Sequence, residues 1–200
     1  ELGVAWTILN PSSVIGDSKT GETTQMVGLA DTLHDLFDGR LPALVGGPRV
    51  LLPVVAVDYL ASFAVEAAAS PEGAGQSFWI LDEGTPRLPA LVGEVAAHMG
   101  VRAPRANLPI GLVRRMPKAL TKVEPDSLEF LVTDDDYPTD GARSVAAAAG
   151  LEMPDTSRTL GRWADHLVST HFLAAEPAIP GRFEGVGSSR AFVRRRGDDP

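Results

Sequence analysis

Residues 6–23 read WTILNPSSVIGDSKTGET, an apolar run that gives way to a polar loop. The run Val4–Leu9 predicts a buried strand, and Pro11 is expected to end it because proline donates no hydrogen bond to a ladder. A loop rich in Ser, Thr, Gly and Asp follows over residues 11–24. Apolar residues at helical spacing then predict a helix with Gly39 as its C-cap glycine.

The same alternation continues along the chain. Val50–Ala56 predicts a second strand, and Asp58 is positioned to cap a helix over Tyr59–Ala69. Ser77–Leu81 predicts a short buried strand, and Leu88–Met99 an amphipathic helix that Gly100 closes. Strands that alternate with helices of this length indicate an α/β fold with parallel strands.

Other stretches carry weaker patterns. Leu41–Arg49 is interrupted by proline and glycine and is predicted to be irregular, while residues 128–132 alternate as an edge strand does. Two helices are predicted at about Thr139–Ala149 and Ser157–Leu173, with the role of covering a pocket. Apolar density falls over residues 175–200, which are predicted to be a tail or linker.

Composition narrows the classes of function. The chain has 200 residues, 44% of them hydrophobic and 22% charged, as in ordinary globular proteins. A formal net charge of -8 argues against a nucleic-acid partner, because phosphates are bound by clustered cations. No apolar run is long enough for a membrane span. The absence of cysteine excludes disulfides and permits the cytoplasmic location that we expect.

Four segments, in order, resemble parts of the extended short-chain dehydrogenase/reductases. The opening stretch WTILNPSSVIGDSKTGET resembles the strand and loop that follow the catalytic helix, and its GDS-x-TG portion resembles the thioester-reductase and fatty-acyl-reductase branch. LLPVVAVDYLASFAVEAA resembles a later strand and helix, in which a Val-Asp pair opens the helix beside the substrate cavity. SFWILDEGTPRLPALVGEVAAHMG resembles the final sheet strand with its helix, and LGRWADHLVSTHF the closing helix.

The resemblance implies a fold and a division of the chain. We expect an α/β structure, the C-terminal part of a doubly wound Rossmann-type parallel sheet with a mainly helical substrate-binding subdomain. The chain opens directly into a strand, so we expect the first half of the sheet to be encoded upstream. The predicted parts are the end of the Rossmann-like domain, the helical subdomain and the tail, over residues 1–103, 104–174 and 175–200.

The family's chemistry depends on motifs that this chain does not carry. The resemblance implies hydride transfer between NADP or NAD and a carbonyl or acyl thioester, with a Tyr-x-x-x-Lys pair as proton donor. The only tyrosines, Tyr59 and Tyr137, are followed four residues on by Phe63 and Gly141. No glycine fingerprint follows a strand and opens a helix. We therefore assign no catalytic residue here and expect the absent N-terminal half to bind most of the cofactor.

The resemblance leaves one wall of the site in this chain. It implies that the backbone of Pro11–Val14 approaches the nicotinamide carboxamide, with the small Ser12 and Ser13 leaving space. An ordinary strand-to-loop turn accounts for these residues equally well. The resemblance also places Thr20, Gly21 and Gln25 in a loop that borders the substrate cavity, although solvated loop chemistry accounts for them too. Asn10 stands where the family commonly has arginine.

Other chemistries are less favoured. His166 and His171 point about 140° apart on a helix and do not converge on a metal. The run 134–136 of three aspartates precedes a predicted helix, whose N-terminus attracts carboxylates. Gly181–Gly187 has glycine spacing like that of a cofactor loop, but Pro180 precedes it where a strand should end. We predict no metal site and no dinucleotide site in these segments.

The sequence thus favours the substrate-side half of an NAD(P)H-dependent reductase that is inactive without its N-terminal half. An alternative is a protein of the same fold that senses NAD(P) or another ligand without catalysis. A Tyr-x-x-x-Lys helix encoded just before residue 1 would favour the enzyme, and its replacement the sensor. A complete small domain of unrelated function is the third alternative; it would leave unpaired sheet edges exposed. Oligomeric state, substrate and the choice of nicotinamide stay open.

Overall fold

A computed structural model describes residues 4–115 and 137–173. In this part of the chain, strands and helices alternate, with six α-helices and six short strands. In chain order the elements are β1 (Thr7–Pro11), β2 (Ser13–Ile15), α1 (Leu29–Phe37), β3 (Ala43–Val45), β4 (Val54–Ala56), α2 (Val57–Ala69), a single 3-10 turn (Pro71–Gly73), β5 (Gln76–Ile80), α3 (Leu88–Met99), β6 (Ala106–Leu108), α4 (Ile110–Val113), α5 (Asp140–Ala148) and α6 (Thr156–Ser169).

All three strand pairs in the described residues are parallel, which confirms the predicted α/β class. β1 pairs with β5 from Thr7 opposite Gln76 to Pro11 opposite Ile80. β2 pairs with β4, and β3 pairs with β6. β2, which lies in the stretch 11–24 predicted to be a loop, and both strands of the last pair were not predicted, because each has only three residues and too little apolar periodicity to be recognised.

Two clusters of buried side chains hold these layers together. The first packs α1, α3 and α6 around Leu33, Leu91 and Trp163, none of them more than 2% exposed. The second packs α2 and α5 against β5, and in it the rings of Phe63 and Phe78 meet edge to face at 5.7 Å. Burial of such aromatic pairs is a major source of stability.

One predicted strand end was confirmed, and one predicted helix end was wrong. Pro11 ends β1 as predicted, and it is itself the last residue of the strand, opposite Ile80. Donors alternate along a parallel ladder, and Ser12 rather than Pro11 donates to the Ile80 carbonyl, so proline costs this pair no hydrogen bond. The last helix ends at Ser169 rather than near residue 173. The chain leaves the helical conformation just after this point, since His171 and Phe172 have positive φ angles of 54° and 55°.

Asp58 does not cap its helix as predicted. α2 begins one residue earlier, at Val57, and its N-cap residue Ala56 makes no side-chain capping bond. The Asp58 carboxylate instead accepts hydrogen bonds from Ser18, in the loop after β2. The carboxylate still lies in the first turn, where its charge is favourable to the helix dipole.

The outer side of β1 is exposed in the described part of the chain. Trp6, just before β1, is 53% exposed and Ile8 is 48% exposed, so the strand predicted to be buried over Val4–Leu9 begins at Thr7 and is not buried on this side. In the described residues β1 forms a two-stranded sheet, so it is paired along one edge. No helix in residues 4–115 and 137–173 is long and apolar enough to cross a membrane.

Several sequence predictions fall outside the described residues. These are the edge strand over residues 128–132, the aspartates 134–136, the glycine-rich segment 181–187 and the tail from residue 175. The predicted domain boundary at residue 103 likewise stays a prediction.

Candidate functional site

The candidate site lies at the carboxyl ends of β1 and β5, where the two strands separate. Ser12 donates its backbone N–H to the Ile80 carbonyl at 3.0 Å, and this is the last bond between them. The start of β4 fills the gap: Pro53 accepts from the Ser13 N–H at 3.1 Å, and Val54 accepts from the Asp82 N–H at 2.9 Å. The carboxyl edge of an open parallel sheet is where such folds bind ligands.

The residues predicted to approach a cofactor lie together at this fork. Pro11 ends β1, Ser13 and Val14 begin β2, and Ser12 connects them. The Ser12 hydroxyl oxygen is buried and has no hydrogen-bond partner among the described residues. A buried hydroxyl ordinarily has a hydrogen-bond partner, so this atom departs from the usual pattern.

Asn10 joins the two strands through its side chain. Its side-chain amide donates to the Ser77 hydroxyl at 2.8 Å and to the Phe78 carbonyl at 3.3 Å. The amide thus ties β1 to β5 just before they separate.

The loop of residues 17–22 forms a tight, internally bonded turn after β2. Asp17 accepts hydrogen bonds through Oδ1 from the Lys19 N–H, the Thr20 N–H and the Thr20 hydroxyl. These backbone donors, first that of Thr20, hold the pKa of the Asp17 carboxyl below its ordinary value. Asp17 and Glu22 also close the loop through a backbone hydrogen bond of 2.9 Å.

Two glycines in this region let α6 approach the loop. A Cβ on Gly21 would overlap the Arg162 carbonyl and lie 2.9 Å from the Trp163 nitrogen, and the φ angle there is +76°. A Cβ on Gly16 would lie 2.6 Å from Cδ1 of the Trp163 ring. The loop of residues 17–22 therefore packs directly on helix α6.

The structure places the three predicted substrate residues differently. Thr20 and Gln25 are exposed, whereas Gly21 is buried against α6. Thr20 is held by Asp17, and the Gln25 backbone is bonded to Thr23 in the next turn. The side chains of Thr20 and Gln25 are thus exposed to solvent, and Gly21 determines how closely the loop packs on α6.

Sequence reasoning missed Asp82, which follows β5 at the same edge. Its carboxylate accepts hydrogen bonds from the Thr156 hydroxyl and, at 2.8 Å, from the Gly84 N–H. Burial is the main reason that the pKa of the Asp82 carboxyl is raised, and the charges of Asp155 and Glu83 add to it. A carboxylate directly after a buried strand run was the available signal.

Tyr59 does not have the environment of a catalytic phenol. It is 9% exposed within the second cluster. Burial, and then the charge of Asp82, raise the pKa of its hydroxyl. Proton donation by a phenol near neutral pH is favoured by the opposite shift, which a neighbouring cation supplies.

The described residues enclose little space at this edge. A cavity of about 10 Å³ lies beside Asp82, lined also by Val55, Met153 and Thr156. That volume admits at most one water molecule.

No family model and no curated protein matches this chain. Among solved structures, it is similar to the terminal R domain of the myxalamid PKS-NRPS biosynthetic pathway, with 20% identity and a TM-score of 0.63 over 87% of this chain and 46% of that one. A thiolation-reductase di-domain from an archaeal non-ribosomal peptide synthetase matches with 11% identity and a TM-score of 0.59, over 86% of this chain and 38% of that one.

A human epimerase family protein with NADPH matches with 15% identity and a TM-score of 0.56, over 80% of this chain and 48% of that one. The chain thus spans less than half the length of these three structures. At such low identity the likeness concerns the fold. In its described residues, the chain has the Rossmann-like fold of the extended short-chain dehydrogenase/reductases, as the sequence resemblance predicted.

Proposed function

We propose that this chain is the substrate-side half of an NAD(P)H-dependent reductase that acts on a carbonyl or an acyl thioester. The observation that carries the proposal is the fork at Ser12, whose buried hydroxyl has no partner among the described residues at the ligand-binding edge of a parallel sheet. Two of the similar structures, an R domain and a thiolation-reductase di-domain, favour reduction over other reactions of this fold.

The segment Pro11–Val14 would form the nicotinamide side of the cofactor site. A carboxamide has both donors and acceptors, which suits the Ser12 hydroxyl. When bound, the nicotinamide supplies the hydride. Ser12 would orient the ring, and Pro11 would keep the backbone close to it. NADPH in one of the similar structures favours a nicotinamide cofactor and leaves the choice between NADP and NAD open.

The loop after β2 would border the bound substrate. Thr20 and Gln25 offer polar side chains to it, and Gly21 sets the height of the loop above α6. This arrangement suits a small carbonyl compound or the acyl end of a thioester. It involves no nucleic acid and fits the cytoplasmic location expected from the composition.

The N-terminal half of the same protein would complete the sheet. Exposure of Ile8 on β1 and of Trp6 just before it supports this, because large apolar residues at a sheet are normally covered. So does the pairing of β1 along one edge in the described residues, since unpaired edges invite another strand. The proton donor would come from that half, so the present chain alone should be inactive.

The test is an assay of the full-length protein for oxidation of NADPH and NADH with aldehydes, ketones and acyl thioesters. We expect turnover with at least one class and none with residues 1–200 alone. Ser12→Ala should raise KM for the dinucleotide several-fold, whereas Ser144→Ala, on the exposed face of α5, should leave it unchanged. An absence of turnover with all three classes would overturn the proposal, and dinucleotide binding without turnover would favour a sensor.

A further inference from the structure

Ser18 is the point at which three separate segments are joined. It is 8% exposed and lies in the loop of residues 17–22. Its backbone N–H donates to Asp58 Oδ1 at 2.9 Å, and its hydroxyl donates to Asp58 Oδ2 at 2.6 Å. Its carbonyl accepts from Arg162 Nη1 at 2.5 Å. The loop is thus bonded to the first turn of α2 on one side and to α6 on the other.

The charges at this point match the polarity of the groups they bind. Asp58, an anion, receives both donors of Ser18, and Arg162, a cation, binds its carbonyl oxygen. Hydrogen bonds in which one partner is charged are about twice as strong as neutral ones. Three such bonds converge on Ser18, whose neighbour Lys19 is exposed to solvent.

The Asp58 carboxylate therefore has Ser18 as its hydrogen-bond partner. Both of its carboxylate oxygens accept from Ser18, and α2 has no side-chain capping bond at its N-terminus. A general acid or base must instead face the substrate. The geometry suits a residue that acts through the loop it holds.

We infer that Asp58, Ser18 and Arg162 form a clamp that fixes the loop of residues 17–22 and thereby sets the affinity for substrate. The inference rests on the reductase proposed above, and it makes Asp58 and Arg162 positioning residues. They act through Thr20 and its neighbours, which the clamp holds at the rim of the site.

The first test follows the loop itself, in the full chain, with a lysine-specific protease. The chain has lysines at 19, 118 and 122, so the fragment that ends at Lys19 reports opening of the loop. Asp58→Ala should speed its release about tenfold or more, because three bonds between charged and neutral groups would be reduced to one. Asp31→Ala is the matched control, since it removes an exposed acid from the first turn of α1 and should change nothing.

The second test measures steady-state kinetics of the full-length enzyme. Asp58→Ala should raise KM for the carbonyl or thioester about tenfold, with kcat and KM for the dinucleotide near wild type, and Asp58→Asn should recover part of the loss. Arg162→Lys should fall between them. A general loss of fold in Asp58→Ala would lower both kcat and the thermal midpoint. Circular dichroism would detect that loss, with Asp31→Ala as the folded control.

The outcomes separate the two proposals. Cleavage at Lys19 that is as slow in Asp58→Ala as in Asp31→Ala would overturn the clamp. Faster cleavage with an unchanged KM for substrate would overturn its role in affinity and leave the reductase standing. Wild-type protein without turnover would overturn the reductase, and with it the link to substrate, while the cleavage result would still decide whether the clamp holds the loop.

Discussion

Replacement of Gly21 by alanine should damage the candidate site more than the same change at any solvent-facing glycine. The φ angle of +76° is in the left-handed region, and a Cβ would overlap the Arg162 carbonyl. Gly100 provides a matched control, because its φ angle is +70° and a Cβ there would meet nothing within 4 Å. Both variants share the conformational cost, and only Gly21→Ala also forces α6 away from the loop.

The expected magnitudes follow from these two costs. An L-residue in the left-handed region costs about 1–2 kcal/mol, which is the whole effect for Gly100→Ala. Overpacking adds roughly 1–3 kcal/mol, so Gly21→Ala should lose about 2–5 kcal/mol of unfolding free energy. Urea denaturation followed by tryptophan fluorescence measures both, provided that the m-values agree. If Gly21→Ala is no less stable than Gly100→Ala, the close contact between the loop and α6 is refuted.

Three further outcomes follow from burial and charge. Phe63→Ala should cost about 3–5 kcal/mol in urea denaturation because the ring is fully buried, whereas Val65→Ala, at a 66% exposed site, should cost little. Asp82→Asn should remove a decline of stability with rising pH: burial raises the pKa of the carboxyl, so the folded state binds the proton more tightly and loses stability from pH 3.8 up through the raised pKa. Asp17→Asn should remove a decline of stability with falling pH. The Thr20 N–H lowers the pKa of the Asp17 carboxyl, so the stability that the carboxylate contributes is present above pH 3.8 and is lost as pH falls through the lowered pKa. Both statements are checked by plotting the midpoint of urea unfolding against pH. A variant whose plot keeps the wild-type slope would contradict the statement made for it.

Much of the fold could be predicted from local patterns. The helix Leu88–Met99 was predicted with its observed bounds, because its apolar spacing is regular and Gly100 closes it in a left-handed conformation. The run SFWIL located β5 to within one residue. β3 and β6 were missed, because a three-residue strand is stabilised by the partner it meets in space and that partner lies about sixty residues away in sequence.

The site was harder to predict, because its bonds connect distant residues. The resemblance places Pro11–Val14 beside a nicotinamide, which stays a prediction, and it does not indicate that the Ser12 hydroxyl lacks a partner among the described residues. Gly21 was predicted to border substrate on the strength of a motif, and the structure adds a packing reason that no motif contains. Local sequence can place a residue in a loop, but the helix on which that loop rests is fixed by tertiary packing.

Asp58 and Asp82 occupy equivalent positions in the sequence, each just after a short strand, but they have different roles in the structure. Each follows a short parallel strand by two residues, so both carboxylates come to the carboxyl edge of the sheet. Asp58 meets Ser18, 40 residues away, whose two donors occupy both carboxylate oxygens. Asp82 meets Thr156, 74 residues away, in a place where burial favours the protonated form. In the folded chain the Asp58 carboxylate holds a loop, and the Asp82 carboxylate has a raised proton affinity. Asp58→Ala should therefore loosen residues 17–22, whereas Asp82→Asn should change the pH dependence of stability.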